Sequence, residues 1–122
     1  MARHAAAMRF CLAVTIVWMA AGSCPAAEID FAATIRPILS DKCFVCHGPD
    51  KGTLKAGLRL DQRELALREK DGITAIVPGN ASMSEMIKRI FATDADDRMP
   101  PVDAKNPLSE SERQLLKTWI EQ

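Results

Sequence analysis

Apolar residues recur at the spacing of an α-helix shortly after residue 28. The spacing predicts a helix over residues 30–40, with Asp30 as its N-cap. Because Pro37 has no N–H to donate, we expect it to kink this helix or to break it into two pieces. The residues of the apolar face are Phe31, Ile35, Ile38 and Leu39.

Two further helices are predicted towards the C-terminus. Each begins with the spacing of a capping box, in which a Ser is followed three residues later by a Glu. Ser82 and Glu85 precede an apolar run and predict a helix over residues 83–92. Ser109 and Glu112 predict the last helix. The apolar face of that last helix is formed by Leu115, Leu116, Trp119 and Ile120.

The segments between these helices have the composition of loops. Residues 48–80 contain repeated turn signals, among them Asp71-Gly72, and only residues 61–70 could form one or two polar helical turns. Residues 93–101 form a second polar loop. No stretch alternates between apolar and polar positions as a half-buried strand does. We therefore predict an all-α fold, a small helical bundle.

The N-terminus has the order of an export signal. A positively charged start leads into an apolar run at residues 10–21, which small residues follow. The run is shorter than the roughly 20 residues that a membrane-spanning helix needs. We therefore expect a signal peptide at residues 1–27 and an exported domain at residues 28–122. An uncleaved N-terminal anchor and a lipid on Cys24 remain as alternatives, and either would attach the protein to a membrane.

The net charge of the chain and the distribution of its basic residues limit the kinds of molecule that we expect it to bind. The 122-residue chain has no formal net charge, and its basic residues form no stripe, so we expect no binding to nucleic acid. Residues 28–122 contain 14 Lys and Arg against 16 Asp and Glu, a formal charge of −2. They also contain only four aromatic residues, which makes a thin core. Because small domains often need a staple or a cofactor, this core is weak evidence for a bound group.

The chemistry of the predicted domain is concentrated in five residues. Within residues 28–122, the only cysteines and the only histidine are Cys43, Cys46 and His47. Their pattern, C-x-x-C-H, is the attachment sequence of c-type haem. Two thiols at this spacing reach the two vinyl groups of one ring, and the histidine that follows reaches the iron as an axial ligand.

Other uses of the same pattern remain open. A Cys-x-x-Cys pair can form a disulfide or a thiol-redox centre, although no βαβ pattern surrounds it here. A structural zinc site needs four ligands, and this domain offers two cysteines and one histidine. We therefore predict one covalent haem c with its iron, and keep a haem-free thiol or zinc module as an alternative.

Methionine is the natural second axial ligand, because no second histidine remains in the domain. Met83 and Met86 lie on the predicted helix, where we interpret them as ordinary core residues. Met99 lies in a loop that no apolar periodicity organises, and two prolines follow it. We predict that Met99 binds the iron and that Arg59 pairs with a haem propionate.

An iron with two protein ligands transfers electrons, whereas an iron with an open position binds or activates small molecules. We therefore predict an extracytoplasmic, periplasmic one-electron carrier, Fe(III)/Fe(II), that is not itself an enzyme. Its partners would be redox proteins. A haem enzyme or gas sensor with an open distal site is the alternative.

Several short stretches together resemble a known family. The order of helix, C-x-x-C-H, loop, methionine and terminal helix resembles a class I cytochrome c, and more narrowly the planctomycete-type cytochrome c domain. The matching stretches are Ile35-Arg36-Pro37-Ile38-Leu39, Cys43-Phe44-Val45-Cys46-His47-Gly48-Pro49-Asp50, Ala56-Gly57-Leu58-Arg59-Leu60-Asp61, Ile76-Val77-Pro78-Gly79-Asn80, Arg98-Met99-Pro100-Pro101 and Trp119-Ile120.

The resemblance implies a class I fold wrapped around one haem, in which the first and last helices pack near an edge of the ring. Phe31 and Ile35 would then lie close to Leu116 and Trp119. Such proteins often have a glycine at this crossing, where this chain offers Ala32-Ala33. The resemblance also implies that the domain could be the N-terminal module of a longer protein.

Overall fold

Most of the regular structure in the part of the chain described by the computed structural model, residues 27–122, is helical. A π-helical turn, Phe31–Ile35, leads into α1, Arg36–Lys42, and α2, Phe44–His47. One further turn, α3, spans Arg63–Ala66. The remaining elements, in chain order, are β1 (Glu69–Lys70), β2 (Ile73–Thr74), a 3₁₀ turn (Ala81–Met83), α4 (Glu85–Ile90) and α5 (Glu110–Glu121).

The helical path does not break at Pro37; the helix changes type there, since the π-helical turn is followed without a gap by α1. Asp30 caps the first turn by accepting a hydrogen bond from the backbone N–H of Ala33, at 2.8 Å. The N–H of Arg36 bonds to the carbonyl of Phe31, five residues back, which is the wider spacing of a π-turn. Pro37 then falls in the first turn of α1, where no N–H is needed. The helical path continues beyond the predicted residue 40.

The first and last helices meet in the core. Ile35 on the first helical segment and Leu116 on α5 are both fully buried, and both belong to the single cluster of buried apolar side chains. The rings of Phe31 and Trp119 lie 5.5 Å apart at an interplanar angle of 35°. This confirms the expected contact between the two helices. The alanines at positions 32 and 33 are exposed, so the residue at the crossing is Ile35 rather than a small one.

The capping box of α5 is confirmed. Ser109 Oγ accepts from the N–H of Glu112, and Glu112 Oε2 accepts from the N–H of Ser109 at 2.7 Å. The far end of the same helix is tied to the start of the described chain, because the N–H of Ile29 donates to Gln122 Oε1 at 2.8 Å.

The second predicted capping box is wrong. Asn80, not Ser82, caps the turn before α4, by accepting from the N–H of Met83 at 3.1 Å. The helix itself begins at Glu85, with Ser84 at its N-cap position. Ser84 is fully buried and accepts from the N–H of Val77, so its hydroxyl serves the preceding loop and not the helix. A capping box is a local signal, and here a contact with a more distant residue takes its place.

A two-residue hairpin departs from the purely helical expectation. β1 and β2 pair antiparallel, with Glu69 opposite Thr74 and Lys70 opposite Ile73. The turn between them has positive φ at Asp71 (55°) and Gly72 (79°), as a tight type I′ hairpin requires. The predicted turn is therefore confirmed, and the one helical turn found between residues 61 and 70 is α3.

The predicted signal peptide lies outside the described residues, apart from Ala27. Within residues 27–122, no helix has the length and the apolar character needed to cross a membrane.

Candidate haem site

Cys43, Cys46 and His47 lie on one turn of helix. The carbonyl of Cys43 accepts from the N–H of Cys46 at 3.1 Å and from the N–H of His47 at 2.8 Å. Residues three apart on a helical turn share a face, so both cysteines point to the same side of α2. The histidine follows directly at the end of this turn.

Gly48 lets the chain leave this turn. A Cβ on Gly48 would lie 2.3 Å from the carbonyl oxygen of Phe44 and 2.8 Å from its Cβ, which no side chain tolerates. A glycine is therefore required by close approach, not by an unusual φ angle. Its position directly after C-x-x-C-H was visible in the sequence, but nothing there indicated how closely the backbone folds back.

The loop after Gly48 returns to the motif and is bonded to it. The N–H of Lys55 donates to the carbonyl of Cys46 at 2.9 Å, and the N–H of Leu60 donates to the carbonyl of His47 at 2.8 Å. Between these two bonds the chain reverses through Ala56 and Gly57, which both have positive φ angles. This segment brings backbone carbonyls against the imidazole.

One ring nitrogen of His47 is enclosed. Nδ1 is buried and has no hydrogen-bond partner among the described residues. Burial lowers the pKa of His47. The nearby backbone carbonyls of Leu58 and Lys55 raise this pKa by a smaller amount, although neither forms a hydrogen bond with Nδ1. A neutral imidazole whose Nδ1–H faces backbone carbonyls keeps the lone pair of Nε2 available to a metal. The histidine therefore fits an axial ligand to haem iron.

The two cysteines of the motif are free thiols. Neither Cys43 nor Cys46 is in a disulfide. Burial, and secondarily the neighbouring Cys46, raises the pKa of Cys43 to about 11. A thiol-redox centre requires a lowered thiol pKa, so the environment of Cys43 argues against that alternative.

The same side chains do not converge as ligands of a zinc ion. Among residues 27–122, no three His, Cys, Asp or Glu side chains are grouped so that they could hold a metal ion. A structural zinc site would need Cys43, Cys46 and His47 to approach one point. A haem-attachment site does not, because the thiols bond to the ring edge and the histidine to its centre.

Met99 lies on a different segment. Its N–H donates to the carbonyl of Arg89, at the end of α4, at 3.1 Å. Its side chain is 37 % exposed and lines a cavity of about 100 Å³ together with Leu108 and Arg113. Among the described residues, no hydrogen bond joins it to His47, and His47 does not line the cavity that Met99 lines.

The two other methionines differ from each other. Met86 is buried in the core, as predicted. The interpretation of Met83 as a core residue is wrong, since its side chain is 60 % exposed on the 3₁₀ turn. The shift in the start of α4 accounts for this difference, because Met83 is not on that helix.

Arg59 has a protein partner that sequence reasoning missed. Its Nε and Nη2 donate to the two carboxylate oxygens of Asp61, each at 2.6 Å. The hydrogen bond from Arg59 lowers the pKa of Asp61, and the same bond raises the pKa of Arg59. Two of the five N–H donors of a guanidinium are thereby used, and the others are not committed to Asp61.

A mainly apolar cavity of about 510 Å³ lies near the motif, but Cys43, Cys46, His47 and Met99 are not among the residues that line it. Leu39 and Leu60 form part of its wall. The carbonyl of Leu39 accepts a hydrogen bond from the N–H of Cys43, and the N–H of Leu60 donates to the carbonyl of His47. Phe31, Ile76 and Trp119 line it from other elements. Its size and its apolar walls suit a large flat apolar group.

A turn that presents two free thiols and a histidine with one enclosed ring nitrogen, on a small helical domain, has the donor set of a c-type cytochrome. The family model for planctomycete cytochrome C matches residues 43–103, which is half of the chain, and the chain belongs to this family. Membership implies a covalently bound haem c with its iron. Neither a curated protein nor a solved structure matches the chain.

Proposed function

We propose that the chain carries one haem c attached through Cys43 and Cys46, with His47 and Met99 as axial ligands, and that it transfers single electrons outside the cytoplasm. The observation that carries the proposal is the turn from Cys43 to His47, with its two unpaired thiols and the enclosed Nδ1 of the histidine. Family membership supports the same cofactor.

The residues have separate tasks in this proposal. Cys43 and Cys46 would hold the haem through two thioether bonds, each the addition of one S–H across one vinyl group with no net redox change. The neutral imidazole of His47 offers Nε2, and the apolar cavity beside Leu60 supplies walls for a flat ring. Bound haem supplies the one-electron Fe(III)/Fe(II) chemistry, whose potential is set by the axial ligands and by burial.

Met99 determines whether the site is closed. A thioether ligand raises the reduction potential and leaves no position for a substrate, which favours electron transfer over catalysis. The backbone of Met99 is fixed by its bond to Arg89 and by the two prolines that follow. The exposure of its side chain favours a second candidate, an open distal site that binds small molecules.

The remaining assignments extend this proposal. We propose that Arg59 offers its uncommitted N–H donors to a haem propionate, and that redox proteins, not nucleic acids, are the partners. Export by residues 1–27 would place the domain in the periplasm or another extracytoplasmic space, where this kind of haem attachment occurs. Membrane anchoring through Cys24 or an uncleaved N-terminus, and a role as the N-terminal module of a longer protein, remain parts of the proposal.

The test is an absorption spectrum of the protein produced with the haem-attachment machinery, first reduced and then oxidised. We expect a red protein that keeps its haem in acid–acetone and shows a methionine-to-iron band in the ferric state. Met99→Ala should lose this band, and Met83→Ala, which changes an exposed methionine, should keep it. A colourless protein contradicts haem attachment, while a red protein without the band favours the open site.

A further inference from the structure

A polar cluster joins the end of α1 to the loop that follows Met99. Asn106 Oδ1 accepts a hydrogen bond from Lys42 Nζ, and Asn106 Nδ2 donates to Asp41 Oδ2. Lys42 Nζ also lies 3.2 Å from Asp41 Oδ2 and 3.9 Å from Glu112 Oε1. One amide therefore satisfies two adjacent side chains that are more than 60 positions away in the chain.

Lys42 depends on these contacts because its side chain has little access to water. Only 9 % of its side chain is exposed, and a charged group with so little water needs protein partners. Among the described residues, Asn106 is the one neutral partner of Lys42, and the proline that follows it restricts its backbone. The contact is therefore specific to an amide that both accepts and donates.

The hydrogen bonds of Asn106 connect the two segments of the proposed site, which are the turn with the haem-attachment motif and the loop with the methionine. Lys42 directly precedes Cys43, and Asn106 lies seven residues after Met99. On its other side, Met99 is bonded to the carbonyl of Arg89. The segment that carries the methionine is thus fixed to α4 before it and to α1 after it.

We propose that Asn106 is a positioning residue, which keeps the Met99 loop at a fixed distance from the turn that carries Cys43 and His47. The inference rests on the proposed axial ligation by Met99. Asn106 does not touch the haem in this proposal; it acts through the backbone of its loop. Without the link, the loop loses its tie to α1 and is anchored at Arg89 and at the buried Leu108 alone, so the methionine is a weaker ligand that external ligands displace more readily.

The experiment uses the ferric holoprotein and compares Asn106→Ala and Asn106→Asp with wild type. The readouts are the methionine-to-iron band and the rate of cyanide binding. Loss of a hydrogen bond to a charged group changes an equilibrium constant by about tenfold. If the loop carrying Met99 is released to that extent, we expect Asn106→Ala to bind cyanide about tenfold faster than wild type. Asn106→Asp should act in the same direction, because it places two carboxylates against each other at Asp41.

The double variant Asp41→Asn/Asn106→Asp exchanges the amide and the carboxylate. The new amide can donate to the new carboxylate, which also accepts from Lys42, so both the band and the cyanide rate should return towards wild type. Lys105→Ala is the matched control, since Lys105 is exposed in the same loop and makes no hydrogen bond or ion pair among the described residues. Circular dichroism checks that every variant is folded under the conditions used.

The outcomes separate this inference from the proposed function. If wild type shows the band but all variants keep the wild-type band and cyanide rate, the inference is overturned and ligation by Met99 stands. Loss in both single variants without recovery in the double variant also overturns it, because a specific bridge must be restored by the exchange. If wild type itself lacks the band, axial ligation by Met99 fails, and the positioning role fails with it.

Discussion

Ser84 offers the sharpest test of how the loop before α4 is held. Its hydroxyl accepts from the N–H of Val77 at 2.9 Å and donates to the carbonyl of Asn80 at 2.8 Å. The side chain is fully buried, whereas Ser82, two residues earlier, is exposed and bonds only to the side chain of Asn80. Replacing each serine by alanine therefore compares a buried hydroxyl with an exposed one in the same turn.

The cost follows from the groups left without a partner. Ser84→Ala removes the hydroxyl from both bonds, and an unsatisfied buried donor or acceptor costs about 1–3 kcal/mol. Val77 is half-buried, so its N–H bears most of the loss, while water reaches the exposed Asn80. We expect Ser84→Ala to lower the free energy of unfolding by about 2 kcal/mol. Ser82→Ala should change it by less than about 0.5 kcal/mol.

Urea unfolding of the holoprotein, followed by circular dichroism, measures this difference. With a slope of about 1–3 kcal/mol/M for a small protein, a loss of about 2 kcal/mol shifts the midpoint by about 1 M at unchanged slope. Equal midpoints for Ser84→Ala and Ser82→Ala would refute the assignment of the buried hydroxyl to this loop. A changed slope would show that the variant alters the compactness of one of the two states.

Three other substitutions test the site and the core. Gly48→Ala places a Cβ 2.3 Å from the carbonyl oxygen of Phe44, so we expect a lower ratio of haem to protein absorbance in the purified protein; an unchanged ratio contradicts this. The pKa of Asp61 is lowered by Arg59, so this pair stabilises the fold above the ordinary carboxyl pKa of 3.8 and the effect is lost as the pH falls through the lower folded pKa. Wild type should therefore lose more of its urea midpoint than Asp61→Asn between pH 6 and strongly acidic pH, and parallel losses would contradict the pairing. Leu116→Ala empties a fully buried position and should cost about 2–5 kcal/mol, seen as a lower midpoint of thermal unfolding; a loss below about 1 kcal/mol would mean that the core closes around the gap.

Local patterns predicted the local features well. The apolar spacing predicted the first helix, and Ser109 predicted the start of α5, because each depends on residues within one or two turns. The attachment motif was equally readable, since its chemistry lies within five consecutive residues. What a sequence pattern predicts reliably is therefore a contact whose partners are close along the chain.

The features that the sequence did not predict depend on distant partners. The sequence pattern predicts Ser82 as the capping residue and assigns no role to Ser84. The partner of Ser84 is Val77, in a loop whose conformation the pattern does not predict. Asn106 carried no signal at all, since its partners lie 64 and 65 positions away. Arg59 is a predicted site residue, but its pairing with Asp61 depends on the backbone conformation of the residue between them, which the sequence does not show. In each case the residue types were ordinary, and only the fold gave them a role.

The most deeply buried residues of the core are not the proposed ligands of the iron. The buried core lies where the first helical segment crosses α5, around Ile35 and Leu116, and it contains neither His47 nor Met99. Cys43 and Phe44 pack against the edge of this core, and the motif and the methionine segment are held in addition by backbone hydrogen bonds and by the polar bridge at Asn106. Because those hydrogen bonds bury little apolar area, they contribute less to stability than the helix crossing does. A substitution at Leu116, which does not line the cavity, should therefore lower stability while preserving the ligands, and a substitution in the bridge should disturb the ligands of a protein that is still folded.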